Sequence, residues 1–333
     1  ARVRLCQQLP PREHLADSTS RTPQWATAPK RVPKLMLNRS SFLRGLAALA
    51  ILLCLAVDVS AQRPGAWGRG PSRPDPFQPE EAEAFLEDFR NARLPGGYVF
   101  HFNFVHMPRR GDDITYHGRL FGSWDAEGHP LMRIAIWPEN HGPLDVLFQL
   151  LVHGGPQPRV WRADKTGVAE LAAGEWMDPL GEHLIYSAFD VVMPFIYWTD
   201  FDYIGPQHVR GRPAQEFAML PPESEDGSTT EAYPGVGEVR ITVDAEFLAL
   251  LNAEVRDGDG DDLRSFRIGA FKKLRNDQYI VSIVDLRDEQ TRDKTRFVVT
   301  GAATHLPLPG MLFDPERFGL YVPRLDGLEL ETL

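Results

Sequence analysis

Cysteine is almost missing from this chain: two residues in 333, Cys6 and Cys54, both ahead of the region that carries helix and strand patterning. For that region this excludes a disulfide framework, a thiol nucleophile and any cysteine-based metal site. No apolar run reaches the roughly 20 residues that a membrane-spanning helix needs. The longest, Leu46 to Val57 (LAALAILLCLAV), has 12. The common local signatures of catalysis are missing as well: there is no G-x-S-x-G, no phosphate-binding G-x-x-x-x-G-K-[ST], no G-x-G-x-x-G and no H-E-x-x-H. Their absence argues against the enzyme classes that carry them.

The short apolar run has its own meaning. Arg39 and Arg44 precede it and Val59-Ser60-Ala61 follow, the basic, apolar, small-residue order of a secretory signal peptide. Cleavage is expected after Ala61, with export from the cytoplasm. Met36 stands where such a signal would start, so residues 36–61 read as the signal and residues 1–35 as an upstream extension. Nine of the 36 basic and three of the 46 acidic residues lie in the first 61, leaving 27 against 43, a formal charge of −16. Nucleic acid and anionic membrane surfaces are poor partners for such a field.

Residues 62–78, dense in Pro, Gly and Arg, read as a flexible leader, and residues 79–333 as one domain. Pro79 opens a helix with Ala82, Phe85, Leu86 and Phe89 at helical spacing, which Leu94-Pro95-Gly96-Gly97 ends. The period then changes to two. Tyr98, Phe100, Phe102 and Phe104 alternate with Val99, His101, Asn103 and Val105 in a strand, and Ile114–Trp124 and Leu131–Trp137 follow as its neighbours. Further strands are expected at 146–152, 159–162, 207–219, 236–243, 249–256, 265–274, 279–285 and 295–300. Ala188–Trp198 (AFDVVMPFIYW) is apolar and helical in pattern, with Pro194 as an interruption. The polar, acidic stretch 221–233 reads as a loop. About ten to eleven strands with few helices make the class α+β: a strongly curved antiparallel sheet, a half-barrel, whose concave face the helices cover.

Four features could carry chemistry. His153-Gly154-Gly155-Pro156 has the composition of an oxyanion loop, but without a nucleophile it reads as a hairpin turn. Asp257–Asp262 (DGDGDD) opens like a calcium loop, yet position twelve is Ile268 and strands flank it, so an acidic turn is expected. Asp200 and Asp202 stand among Trp198, Phe201 and Tyr203, a possible carboxylate pair for an envelope polysaccharide or lipid hydrolase; local backbone capping is the simpler role. His101 and His117 fall on adjacent strands, but no third ligand completes a metal site. No catalytic residue, metal or cofactor is assigned.

A resemblance joins these observations. Gly118-Arg119-Leu120, Trp176–Leu180 (WMDPL), Phe189–Phe195 (FDVVMPF), Trp198–Gly205 (WTDFDYIG), Val209–Arg212, Leu220-Pro221-Pro222, Thr291–Thr295 and Leu306-Pro307 ahead of Phe313 and Phe318 occur in the order seen in the bacterial outer-membrane lipoprotein-sorting, or LolA-like, family. Residues 118–318 resemble that family. The resemblance implies a monomeric half-barrel carrier in the periplasm of a Gram-negative envelope that shields lipoprotein acyl chains or other lipid, served by a membrane export complex or an outer-membrane receptor. It also admits an envelope-stress sensor on the same fold. The residues expected to line the cargo face and lid are Phe100, Phe102, Phe104, Tyr116, Leu120, Trp124, Ile134, Ile136, Val192, Phe195 and Trp198.

Overall fold

In a computed structural model the described residues are 54–55 (backbone only), 75–222, 233–325 and 327–333. They fall within the unit Arg44–Leu333; the other unit, Ala1–Leu43, lies outside them, as do the expected leader up to residue 74, the expected cleavage site and most of the acidic loop.

The dominant element is one antiparallel sheet. Its strands are β2 (Gly97–Met107), β3 (Ile114–Trp124), β4 (Pro130–Pro138), β5 (Phe148–His153), β6 (Arg159–Asp164), β7 (Gly167–Glu170), β10 (Phe201–Val209), β11 (Arg212–Met219), β12 (Glu238–Asp244), β13 (Leu250–Arg256), β14 (Asp262–Lys273), β15 (Tyr279–Asp288) and β16 (Lys294–Leu306). Two successive meanders join through β16 and β2, in the order β10-β11-β12-β13-β14-β15-β16-β2-β3-β4-β5-β6-β7. Two-residue strands add to it: β1 (Cys54–Leu55) on β15 and β17 (Glu331–Thr332) on β16. Strands β8 (Pro179–Gly181) and β9 (Leu184–Ser187) form a separate hairpin.

The strand count exceeds the expected ten to eleven for a local reason. The single strand expected at 207–219 is a hairpin: Arg210 and Gly211 both take positive φ, 52° and 82°, and turn β10 into β11. This is the two-residue turn that matches the twist of paired strands. The short β7, β8 and β9 carry too few residues for a period-two pattern.

The sheet curls without closing. Ile134 on β4 and Phe266 on β14 are five strand spacings apart, about 24 Å across a flat sheet, yet both line one small cavity. Register shifts interrupt the ladders at Tyr203/Gly205, Thr242/Val243, Ile268/Ala270 and Val299/Gly301, and such bulges bend the strands that contain them.

Helix α1 (Pro79–Asn91) forms as its pattern predicts. Pro79 supplies the fixed first turn, the Glu81 carboxylate accepts from the Gln78 N–H at 2.8 Å, and Ala82, Leu86 and Phe89 are buried against the inner face. The apolar segment that follows β9 divides at Pro194, again as expected: α2 (Ala188–Val192), then Met193 at φ 50°, then a 3-10 turn over Pro194–Tyr197. Among the described residues no helix is long and apolar enough to cross a membrane.

Both faces of the β2–β6 region are covered. The inner side chains pack with α1, α2 and the 3-10 turn in one large core. On the outer face Val99, Phe121, Leu151 and Trp161 pack under the C-terminal segment, through Leu312, Phe313 and Phe318. The alternation in β2 therefore separates a buried inner row from an outer row that is fully buried at Val99 and half-buried at His101, Asn103 and Val105.

Candidate functional site

The inner face is floored by rings and branched chains from strands of both meanders. Phe102 and Phe104 of β2 pack with tilted rings against Phe297 of β16 at centroid distances of 4.8 and 5.6 Å, and Phe104 meets Tyr186 of β9 at 4.6 Å. Phe102 reaches this position because its cross-strand partner is Gly118; a Cβ there would stand 2.2 Å from the ring.

Above the floor sits the lid formed by α2 and the 3-10 turn, with every residue from Ala188 to Trp198 buried. Polar contacts at two ends hold it. At the first, the Asp190 carboxylate accepts from the Ser187 N–H (2.8 Å) and hydroxyl (2.6 Å), capping the helix start. Arg264 of β14 donates to that carboxylate at 2.7 Å, to Ser187 Oγ at 3.0 Å and to the Met177 carbonyl at 3.2 Å. At the second, Arg90 of α1 donates to the carbonyls of Ile196 (2.6 Å) and Trp198 (2.7 Å). Burial pulls the Arg90 guanidinium below its usual pKa, against the pull of Tyr197 and the helix carboxylates Glu87 and Glu83. Between the two ends Met193 holds a left-handed conformation rare for a side chain of its kind.

Where lid meets floor there is a cavity of about 50 Å³ with an apolar wall, formed by Phe104, Leu120, Ile134, Val191, Met193 and Phe266 among others. An engineered apolar cavity of about 150 Å³ holds one benzene, three times this volume, so the space as it stands has no room for an acyl chain. The Tyr186 hydroxyl is buried beside this wall without a hydrogen-bond partner among the described residues, and burial drives its pKa well up. An open groove of about 530 Å³ lies at one end of the same face, between Ile114, Tyr116 and Phe148 and the β8–β9 hairpin. There the Tyr116 hydroxyl donates to the Glu182 carbonyl at 2.9 Å.

The expected cargo-face residues divide accordingly. Phe104, Leu120 and Ile134 line the cavity. Tyr116 lines the groove. Phe100, Phe102, Ile136, Val192 and Phe195 are buried in the surrounding core, and Trp198 packs at the far end of the lid against Tyr233, 5.2 Å between centroids. Trp124 is only half-buried; its indole donates to the Leu94 carbonyl at 2.9 Å and holds the exit of α1. Sequence reasoning did not single out Arg90, Arg264 or the Ser187–Asp190 cap. The S-x-x-D spacing ahead of an apolar run was the available signal for the cap, whereas the arginine contacts span 74 to 108 residues and leave no local trace.

The features that could carry chemistry take structural positions. Asp200 and Asp202 are exposed at the start of β10, outside both cavities. His153 begins the β5–β6 turn, where Nε2 meets the Phe313 carbonyl at 2.7 Å. In the acidic turn Asp257 Oδ1 accepts from the N–H groups of Asp259 and Asp261. His101 and His117 are not cross-strand partners: His101 faces Arg119 and accepts from its Nε at 2.9 Å, while His117 faces Asn103 at 2.7 Å. Asp125, Glu127 and His129 could converge on a cation at the β3–β4 turn, their ligand atoms within 4.8 Å of one another. Asp125 already closes that turn by accepting from the His129 N–H and Nδ1, both at 2.6 Å.

No protein-family model matches the chain, and no curated protein matches it. Solved structures do. A domain from Vibrio parahaemolyticus described as an outer membrane lipoprotein-sorting protein superposes with a TM-score of 0.56 at 14% identity, covering 71% of this chain and 94% of that one. A DUF1329 family protein from Desulfovibrio piger gives 0.57 at 11% identity, with 71% and 96% covered. A LolA superfamily protein from Nitrosomonas europaea gives 0.50 at 11% identity, with 71% and 99% covered. The chain has the fold of these proteins, as the resemblance implied.

Proposed function

We propose that this protein is a periplasmic carrier that shields hydrophobic cargo, lipoprotein acyl chains or lipid, between the curled sheet and its lid. One observation carries the reading. An apolar floor drawn from strands on both halves of the sheet is closed by a short lid held through a few polar contacts at its ends. A core whose only task is stability favours interlocking packing that leaves no cavity, and has no need of a separately latched segment above one. The fold shared with lipoprotein-sorting domains supports the same reading.

Loading requires the lid to move, since the closed cavity is too small for a chain. Each CH₂ removed from water contributes about 0.8 kcal/mol, so a chain of ordinary length can offset a displaced Arg264–Asp190 contact. The Met193 hinge and the Pro194 break let α2 and the 3-10 turn shift as separate pieces. In this reading the eleven cargo-face and lid residues named from the sequence form the walls of the loaded state. The mouth lies at the open groove beside the β8–β9 hairpin, and cargo is passed on to a membrane or protein receptor.

Native mass spectrometry of the protein purified from the periplasm, followed by organic extraction, tests this. Co-purifying lipid or acylated peptide, lost in Phe102→Asp, is the expected result. An empty protein that also fails to take up a fluorescent fatty acid would refute the carrier reading.

A further inference from the structure

Of the buried polar side chains without a bonding partner among the described residues, one lines the cavity under the lid. Tyr186 of β9 is 5% exposed, and its hydroxyl neither donates to nor accepts from any described group. Its ring lies 4.6 Å from that of Phe104 on the floor. The other polar side chain of the cavity wall is Asp190, whose carboxylate is already taken by Ser187 and Arg264. Burial first, then the charges of Asp190 and Asp285, raise the Tyr186 pKa well above that of a free phenol, so the hydroxyl keeps its proton and remains a donor. The Tyr197 hydroxyl, buried and unpaired in the lid itself, is not part of the cavity wall.

An unpaired hydroxyl in an apolar wall is a net cost to folding, because the hydrogen bond it made to water is not replaced. A wall with packing as its only task is better served by phenylalanine, which has the same ring and no orphaned donor. The hydroxyl also has a place on the way in. On β9, Leu184 lines the open groove and Tyr186 lines the cavity, with the half-buried Ile185 between them. Residues two apart on a strand share a face and stand about 7 Å from each other. Tyr186 is therefore the first cavity residue met from the groove along this strand. A lipid whose head rests in the groove brings the first carbonyl of its chain to this depth, with the hydrocarbon beyond it.

We propose that Tyr186 selects cargo by the carbonyl at the head of an acyl chain. Its hydroxyl donates to the ester or amide oxygen once the lid lifts, so the site takes acyl chains in preference to alkyl or ether-linked chains of equal length. The proposal rests on the carrier reading and names the chemical class of the cargo. Selection follows from leaving a buried donor unpaired: an alkyl chain offers it no acceptor and an ether oxygen only a poor one, whereas a carbonyl satisfies it. One neutral hydrogen bond of this kind is worth about tenfold in affinity.

The experiment uses a matched pair of probes, palmitoyl lysophosphatidylcholine and its hexadecyl ether, which differ by one carbonyl. Each displaces a fluorescent fatty acid from the full chain, below the micelle concentration of either lipid. Wild type should bind the ester about tenfold more tightly than the ether. Tyr186→Phe should weaken the ester alone and bring the two affinities within about twofold of each other. Having no bond to lose, the variant should melt no lower than wild type. Equal affinities in wild type, or an undiminished preference in Tyr186→Phe, overturn the proposal and leave the carrier reading standing. A melting temperature several degrees lower in Tyr186→Phe overturns it too, because the hydroxyl is then bonded in the empty protein. Displacement by neither lipid refutes the carrier reading and this proposal with it.

Discussion

Phe102 lies across Gly118 of the neighbouring strand and is held there by Phe104 and Phe297, at 5.1 and 4.8 Å. It has no room to yield to a new methyl group, so Gly118→Ala should destabilise by about 1–3 kcal/mol through overpacking, read as a lower urea midpoint with an unchanged slope. His101 shows how burial and charge act on one group. Burial first, and Arg119 second, push its pKa down to about 4. A base whose folded pKa lies below its unfolded value near 6.5 binds fewer protons folded than unfolded in that interval. Its contribution is complete above pH 6.5 and is lost as pH falls toward 4. Thermal melts across that window should show stability declining on acidification, and His101→Gln should flatten the decline; an unchanged profile in the variant would show that His101 does not carry it.

At the scale of elements, the lid and the C-terminal strap that follows β16 are both short segments laid on the sheet, and arginine binds each of them. Arg133 of β4 donates to the strap carbonyls of Gly319 (3.2 Å) and Tyr321 (2.7 Å). The Arg264–Asp190 pair is nearly dry, with Asp190 at 4% side-chain exposure. Removing one partner of a buried ion pair costs about 3–5 kcal/mol because a charge is left unpaired, so Arg264→Met should lower stability by an amount of that order. It should also speed uptake of a fluorescent fatty acid by releasing the start of α2. Slower uptake by Arg264→Met would mean that the arginine shapes the site without latching it. The strap acts on the other face. Ending the chain at Leu306 would bare Val99, Phe121, Leu151 and Trp161, and we expect stronger binding of an apolar dye and loss of solubility.

For the whole molecule, curvature is the property that matters. A flat sheet would spread Ile134 and Phe266 too far apart to share a wall; the curled sheet brings them around one cavity under the lid. Cargo that binds only the folded protein stabilises it by mass action, about 2.7 kcal/mol at a hundred times the dissociation constant. The melting temperature should therefore rise with added palmitate in wild type and stay fixed in Phe102→Asp.

Much of this was legible in the chain. Pro79 and the spacing of Ala82, Leu86 and Phe89 set α1, the aromatic alternation from Tyr98 to Phe104 set β2, and Pro194 divided the lid, because each signal is local and has one period. The 207–219 segment was harder to read: Arg210 adopts a left-handed turn whose only sequence mark is the glycine after it, so a hairpin looked like one strand. The buried part of the outer face was not readable either, since Val99 and Phe121 acquire their cover from residues some 200 positions later. The sequence by itself determined helix α1, most of the long strands, the inner face of β2 and the α+β class, through short-range sterics and hydrophobic period. Tertiary structure alone decided how far the sheet curls, which arginines hold the lid and the strap, and that the closed lid leaves only about 50 Å³ beneath it. Those outcomes depend on residues far apart in the chain meeting in space, and no local pattern encodes such meetings.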